Sequence, residues 1–219
     1  MRTIALVTQK GGSGKSTLSA SLAVAAQAAR ERVFLLDLDP QKSLTTWAEN
    51  RSDANLGVEA MTPNKLPAAL AALSASNVTL AIIDTPATLS AASEAAMSAA
   101  DLIVIPVRPT VFDIWASDAT RRRANELEKD YVFVLNQCPI TQESRRVQDQ
   151  AAALEALGGL LRPLVTSRVD YQEAIRRGLG PTEVNPEGHA AEEMRALWKS
   201  LRQRLIKAKL FGAAGRHAA

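Results

Sequence analysis

The sequence has little cysteine, few aromatic residues and no long uninterrupted apolar run. Its single cysteine, Cys138, cannot form an internal disulfide, and its place just after an apolar run predicts a small buried residue rather than a reactive thiol. No apolar stretch reaches the roughly 20 residues that a membrane-spanning helix needs, and no cleavable apolar segment precedes the first strand-like run. We therefore expect a cytoplasmic protein.

The composition is that of a folded domain. Of the 219 residues, 47% are hydrophobic and 22% are charged, which is enough apolar material for one sizeable core. The formal net charge of +3 is small, but basic residues crowd the last twenty or so positions. They are Lys199, Arg202, Arg204, Lys207, Lys209 and Arg216. This end of the chain is suited to an anionic partner.

Short apolar runs alternate with alanine-rich stretches along the chain. The apolar runs, typical of strands buried on both faces of a parallel sheet, are 3–7, 33–37, 78–84, 102–107 and 131–136. The stretches with helical length and propensity are 16–30, 90–100, 113–129 and 143–157. This alternation predicts an α/β fold in one domain, with a doubly wound, mostly parallel sheet and helices on both faces.

The remaining segments give weaker patterns. Residues 57–61 resemble a minor strand, and Pro63 and Pro67 bracket the start of a helix. Residues 178–188 have the composition of a loop, and a long helix is predicted from His189 to about Lys209. We expect the domain to span residues 1–211 and the last residues, 212–219, to form a flexible tail.

A glycine-rich segment separates the first predicted strand from the first predicted helix. Its residues are Lys10, Gly11, Gly12, Ser13, Gly14, Lys15, Ser16 and Thr17. A loop at a helix N-terminus presents backbone N–H groups and the positive end of the helix dipole to one point, and glycines let the backbone close around phosphate oxygens. We expect Lys15 to neutralise the β- and γ-phosphates and the Ser16 hydroxyl to bind Mg²⁺. The segment therefore predicts a P-loop.

This loop departs from the ordinary P-loop pattern at one position. Gln9 stands five residues before Gly14, where that pattern has glycine, and an additional lysine, Lys10, follows it. The form Lys-Gly-Gly-x-Gly-Lys-Ser/Thr resembles the deviant P-loop of the ParA/MinD family, and the resemblance extends along most of the chain. It implies that Lys10 crosses a dimer interface to the partner's nucleotide. A second cation there would stabilise charge that develops in phosphoryl transfer. The alternative is an ordinary solvated loop lysine.

Acidic residues follow two of the predicted strands. Asp37 and Asp39 resemble the family's Asp-x-Asp-Pro-Gln switch segment, and we expect Asp39 to orient the attacking water or a Mg²⁺-bound water, with Asp37 in support. Asp84 closes a Walker-B-like apolar run and is expected to hold Mg²⁺ through water. Either acid alone would be an ordinary strand-end residue. With Lys10 and Lys15 they predict a catalytic Mg-ATP site.

The base-recognition site is less distinct in the sequence. Asn136 stands where relatives use an amide to contact adenine, although an asparagine that caps a loop is an alternative. The segment Asn136-Gln137-Cys138-Pro139 does not resemble an Asn-Lys-x-Asp guanine reader, which favours ATP over GTP.

The resemblance implies a partition ATPase as the first of three uses for such a site. An ATP-bound homodimer would bind DNA of any sequence, associate with the nucleoid, and be released when a cargo-bound adaptor stimulates hydrolysis. Binding without sequence preference needs only basic side chains on phosphates. The candidates on the terminal helix are Arg195, Lys199, Arg202, Arg204, Lys207 and Lys209, with Arg176, Arg177 and residues 121–123 expected beside them. Each is equally consistent with a solvated helical face.

Two other uses are weighed against partition. Leu201, Leu205, Ile206, Leu210 and Phe211 alternate with basic residues, so the terminal helix could lie on a membrane as in MinD, or its apolar face could pack on the sheet. A nitrogenase-reductase-like protein would need paired cysteines for an iron–sulfur cluster, which a single cysteine does not provide.

Overall fold

The computed structural model describes residues 1–53, 55–141 and 144–214, with side chains described as far as Ile206. The strands are β1 Arg2–Leu6, β2 Val33–Asp37, β3 Gly57–Ala60, β4 Leu80–Asp84, β5 Leu102–Val107, β6 Tyr131–Leu135 and β7 Leu160–Leu161. The helices are α1 Lys15–Ala28, α2 Ser43–Glu49, α3 Leu66–Ala75, α4 Ala91–Ala99, α5 Val111–Glu126, α6 Arg145–Ala156, α7 Val169–Arg176, α8 Pro181–Val184 and α9 His189–Ala214, with a 3-10 turn at Pro63–Lys65 before α3.

The seven strands form one parallel sheet in the order β3-β2-β4-β1-β5-β6-β7. Alternate strand residues enter two apolar layers, so that Ile4 and Ile82 face α1, α2, α7 and α9, while Ala5 and Ile83 face α3 to α6. The predicted doubly wound fold with helices on both faces is confirmed. Because β1 lies between β4 and β5, the loop after β1 leaves the sheet where the strand order reverses, which is where such folds bind ligands.

The predicted elements are largely confirmed, with several differences. The segment 178–188 is not all loop, because it contains α8. The Gly180 N–H donates to Glu183 Oε2 at 2.7 Å, which stabilises the first turn of this helix. The terminal helix extends to Ala214, so the predicted boundary at 211 falls inside it, and residues 215–219 lie outside the described part of the chain. Helices α2 and α7 and the two-residue β7 were not predicted.

Candidate nucleotide-binding site

The loop from β1 to α1 contains two glycines in a backbone conformation that strongly favours glycine. Gly12 and Gly14 have φ values of 76° and 88°, in the left-handed region that other residues rarely adopt. A Cβ at Gly14 would also lie 2.4 Å from Asn136 Nδ2. The loop therefore passes close to the end of β6 and enters α1 directly at Lys15, which leaves the first N–H groups of α1 without intrahelical acceptors.

Two polar groups in this loop are buried in a way that suits an anion. Within the described residues, the buried Ser13 Oγ has no hydrogen-bond partner. Lys15 is also buried, and this burial lowers the pKa of its ammonium, while the charges of Asp84 and Asp39 raise it. A phosphate placed between them would satisfy the hydroxyl and the ammonium at the helix N-terminus, so the residues present fit the predicted ligand.

Ser16 and Asp84 meet beneath the loop, as predicted for a Mg²⁺ site. The Ser16 hydroxyl donates to Asp84 Oδ2 at 2.6 Å, and the Ser19 hydroxyl donates to Oδ1 at 3.2 Å. Complete burial raises the pKa of Asp84 to about 7, although both hydroxyls lower it and Lys15 opposes the rise. Hydroxyl and carboxylate oxygens are the hard ligands that Mg²⁺ prefers, so this pair is chemically suited to it.

Asp37 holds the segment that follows β2. Its buried carboxylate accepts hydrogen bonds from the backbone N–H groups of Leu44 and Thr45 at 3.1 and 3.2 Å, from the Thr45 hydroxyl, and from the Asp39 N–H at 3.1 Å. Burial raises its pKa, and these hydrogen bonds lower it. The carboxylate thus caps the N-terminus of α2 and fixes the backbone at Asp39, an arrangement that suits the supporting role predicted for it.

Asp39 lies half-buried at the wall of a cavity of about 550 Å³. Its Oδ1 accepts from the Gln41 N–H at 2.9 Å. The cavity is also lined by Asp37, Lys42, Thr62, Pro86, Thr88 and neighbouring residues of α4. The segment from Pro86 to Thr88 passes the P-loop as well, since Ala87 Cβ is 4.0 Å from the position of a Cβ on Gly11. Asp39 therefore lines a solvent-accessible cavity whose wall also includes the segment that passes the P-loop.

Asn136 contacts the P-loop itself. Its Nδ2 donates to the Ser13 carbonyl at 2.7 Å, and the neighbouring Gln137 Nε2 donates to the Gly12 carbonyl at 2.8 Å. Asn136 also lines a cavity of about 170 Å³ beside the P-loop. The other lining residues are Gly14, Thr17, Leu18, Gln137, Val165, Thr166, Ser167, Arg168, Tyr171 and Gln172. Adenine contact by Asn136 remains a prediction.

Sequence reasoning missed the far wall of this cavity. Arg168 and Tyr171 lie at the start of α7, and both contact Glu193 of α9. The Arg168 guanidinium is 3.1 Å from the Glu193 carboxylate, and the Tyr171 hydroxyl donates to that carboxylate at 2.8 Å. The only sequence signal is a polar run after an unpredicted two-residue strand. Nothing local connects that run with the P-loop more than 140 residues earlier.

Lys10 and Cys138 are the other two residues singled out above. Lys10 is half-buried, and within the described residues it has no hydrogen bond or ion pair, so its role across a dimer stays a prediction. Cys138 is fully buried, and burial raises the pKa of its thiol to about 12. The prediction of a small buried residue there is confirmed.

The basic candidates for DNA binding do not form one surface. Arg195, Lys199 and Arg202 are exposed on α9, whereas the half-buried Arg204 forms a two-pronged pair with Asp130. The side chains of Lys207 and Lys209 lie outside the described residues. Arg176 and Arg177 are exposed at the end of α7, on the same side of the sheet as α9. Residues 121–123 were placed wrongly, because α5 packs on the opposite face of the sheet.

The apolar side of α9 belongs to the core. Met194, Leu197, Trp198, Leu201 and Leu205 are buried against α1 and the sheet. Of the two alternatives for Leu201 and Leu205, packing on the sheet is therefore the one that the structure shows, while the side chains of residues 210 and 211 lie outside the described part of the chain. Among the described residues, no helix is both long enough and apolar enough to cross a membrane.

Comparisons with known proteins identify relatives of this chain. The chain is 31% identical over 203 residues to the maintenance of carboxysome distribution protein A of Halothiobacillus neapolitanus, covering 87% of this chain and 91% of that protein. It is 42% identical over 125 residues to the protein of the same name from Gloeobacter kilaueensis, an alignment that spans 56% of each. A crystal structure of a candidate plasmid partition protein from Borrelia burgdorferi B31, bound to AMPPNP, has the same fold. It matches with a TM-score of 0.76 at 16% identity and covers 93% of this chain and 99% of that one.

The family model described as the CobQ/CobB/MinD/ParA nucleotide binding domain matches residues 4–213. This range contains the P-loop, both acidic strand ends and the cavity beside Asn136. The chain therefore belongs to the CobQ/CobB/MinD/ParA family of nucleotide-binding P-loop proteins.

Proposed function

We propose that this protein is a ParA-type ATPase that binds Mg-ATP, forms a nucleotide-sandwich dimer, binds DNA without sequence preference and positions cargo. One observation carries the proposal: Lys15, Ser16 and Asp84 lie together under a glycine-rich loop at the reversal point of the sheet. Parts of this kind serve phosphoryl transfer, in which catalysis consists mainly of positioning and charge stabilisation.

The residues divide the work by position. Lys15 and the N-terminal N–H groups of α1 bind the phosphates, and Ser16 and Asp84 would hold Mg²⁺, which would supply positive charge to neutralise the phosphates. Asp39 orients the attacking water, and Asp37 keeps the Asp39 backbone in place through its hydrogen bond to that N–H. Lys10 has no partner among the described residues, so its ammonium is available to the nucleotide of a second chain.

ATP is the proposed nucleotide. Gln137 follows Asn136 where a guanine reader would have lysine, and its amide is bonded to the Gly12 carbonyl. The Borrelia protein, which has the same fold, binds the ATP analogue AMPPNP, and this agrees with the choice of ATP.

Cargo positioning is supported by the relatives and by charge. The two relatives above carry names that refer to carboxysome distribution, so a protein compartment joins plasmids and chromosomes as a candidate cargo. A cargo-bound adaptor would stimulate hydrolysis, and nucleoid DNA in the cytoplasm would be the surface to which the ATP-bound protein binds. Exposed Arg195, Lys199 and Arg202 supply cations for its phosphates.

Three variants with different expected defects test the proposed ATPase. Lys15→Ala should lose ATP binding by calorimetry, because it removes the buried cation from the phosphate site. Asp39→Ala should keep ATP binding but lose turnover, and should form a long-lived dimer with Mg-ATP in light scattering.

Lys10→Ala should weaken ATP-dependent dimerisation and hydrolysis together. Unchanged ATP affinity in Lys15→Ala would rule out the site, and normal turnover in Asp39→Ala would move the catalytic role elsewhere.

A further inference from the structure

Four large apolar side chains are exposed on two segments near the P-loop. Phe112 is 72% exposed, Trp115 67%, Leu89 49% and Val111 46%. Leu89 belongs to the segment after β4, and the other three belong to the first turns of α5. We call these four residues the apolar rim. Two neighbouring aromatic side chains left in water at this level are uncommon away from interaction sites.

The apolar rim lies on both sides of the P-loop tip. A Cβ on Gly11 would be 4.0 Å from Ala87 Cβ, two residues before Leu89. A Cβ on Gly12 would be 3.5 Å from Arg108 Nη1, three residues before Val111. The tip is thus flanked by one segment of the rim on each side, and a surface placed over the tip would meet both.

The exposure of the two aromatic rings follows from a fixed backbone. The Thr110 hydroxyl caps α5 by accepting from the Asp113 N–H at 3.2 Å. The Asp113 carboxylate, itself buried, binds the Arg108 guanidinium through Nε at 2.8 Å and Nη2 at 3.3 Å. Phe112 and Trp115 are in edge-to-face contact at 5.7 Å between ring centroids. The helix start therefore presents the rings to solvent as a unit, braced against the P-loop.

We infer that the apolar rim is the surface through which a second copy of this chain binds when nucleotide is present, which rests on the proposed function. A sandwich dimer brings two P-loop tips face to face, so residues that flank the tip lie near the two-fold axis and meet their own counterparts. Rim side chains of one copy then cover those of the other.

Charge explains why such contact would require nucleotide. Asp113 offsets the charge of Arg108, but Lys10 has no ion pair among the described residues, so two empty copies bring their Lys10 ammonium groups together. Phe112 and Trp115 would each bury about 150–250 Å² at most, against about 800 Å² per partner in a standard interface. The rim is therefore too small to overcome this repulsion alone. The phosphates of ATP cancel the charge and let the apolar contact form.

Tryptophan fluorescence can observe the rim directly. Trp47 and Trp198 are buried, with 3% and 4% exposure, so acrylamide should quench mainly Trp115. We expect Mg-ATP to shield Trp115 from acrylamide in the Asp39→Ala background, in which the dimer should persist. Trp115→Phe should abolish this change in quenching.

A pair of matched variants tests the energetic role of the rim. Phe112→Ser should weaken ATP-dependent dimerisation at least tenfold in light scattering, while ATP affinity and the thermal transition stay unchanged. Ile206→Ser is the control, since Ile206 is exposed on α9 near the Arg204–Asp130 pair, at the opposite end of the strands from the P-loop.

The outcomes separate this inference from the proposed function. If Asp39→Ala dimerises with ATP while Trp115 stays accessible, or if Phe112→Ser dimerises normally, the rim has another occupant and the inference is wrong while the ATPase proposal stands. Shielding of Trp115 without an increase in mass would also overturn it. Absence of any ATP-dependent dimer would overturn both.

Discussion

Asp84 shows how strongly one residue of the site depends on its surroundings. Its burial raises the pKa to about 7, so the folded metal-free protein binds the Asp84 proton more tightly than the unfolded chain does. The free energy of unfolding should therefore fall as pH rises from about 4 to about 7 and then level off, an effect of a few kcal/mol.

Urea unfolding of chelator-treated protein over this pH range checks the prediction, with Asp84→Asn as the comparison. The asparagine variant should lack this part of the pH dependence, whereas the contribution of Asp37, whose pKa is raised as well, should remain in both proteins. Parallel pH profiles for the two proteins would contradict the assignment.

At the scale of an element, α2 depends on a side chain outside it. Asp37 on β2 accepts from the N–H groups of Leu44 and Thr45, which α2 itself cannot satisfy. Asp37→Ala should lower the free energy of unfolding by about 1–3 kcal/mol and reduce turnover, because α2 loses its cap and Asp39 loses its backbone anchor.

Chemical denaturation and steady-state ATPase rates measure the two effects of Asp37→Ala. Asp118→Ala is the control, since Asp118 is partly exposed on α5 and its ion pairs among the described residues are with Arg121 and Arg122. Surface pairs contribute at most about 1 kcal/mol, so this variant should keep full turnover. Equal losses in the two variants would argue against a cap specific to α2.

The short elements are also where sequence-based prediction was weakest. Helix α8 is fixed by Arg51, whose buried guanidinium donates to the Gly178 carbonyl at 2.9 Å and to Glu183 at 2.8 Å. Gly178 lies against the Asn50 backbone, which a Cβ would approach to 2.4 Å. These contacts join segments more than 120 residues apart. Local propensity contains no information about them.

At the scale of the whole molecule, the proposed DNA binding can be tested against membrane binding. Arg195, Lys199 and Arg202 are the exposed arginine and lysine residues described on α9, with Arg202 3.6 Å from Glu31, whereas Arg204 pairs with Asp130 through two hydrogen bonds. Replacing the three exposed residues by alanine should lower ATP-dependent affinity for DNA of any sequence and reduce the salt slope by about one unit for each lost phosphate contact. Nucleotide binding should be unchanged.

Fluorescence anisotropy with labelled duplexes at several salt concentrations tests this prediction. Arg162→Ala serves as the control, because that exposed arginine lies off α9 and pairs with Glu155. Sedimentation with anionic vesicles is measured in parallel. ATP-dependent vesicle binding without any DNA binding would favour a MinD-like membrane protein instead.

The sequence by itself determined the features that depend on local pattern. Buried strands read as apolar runs, and the P-loop pattern places glycines, Lys15 and Ser16 in one short segment, so the fold and the position of the candidate phosphate site could be predicted. The tertiary structure alone decided which distant groups meet: Asn136 with the Ser13 carbonyl, and the start of α5 with the P-loop tip. It also placed residues 121–123 away from α9, because the face on which a helix packs depends on the path of the whole chain around the sheet.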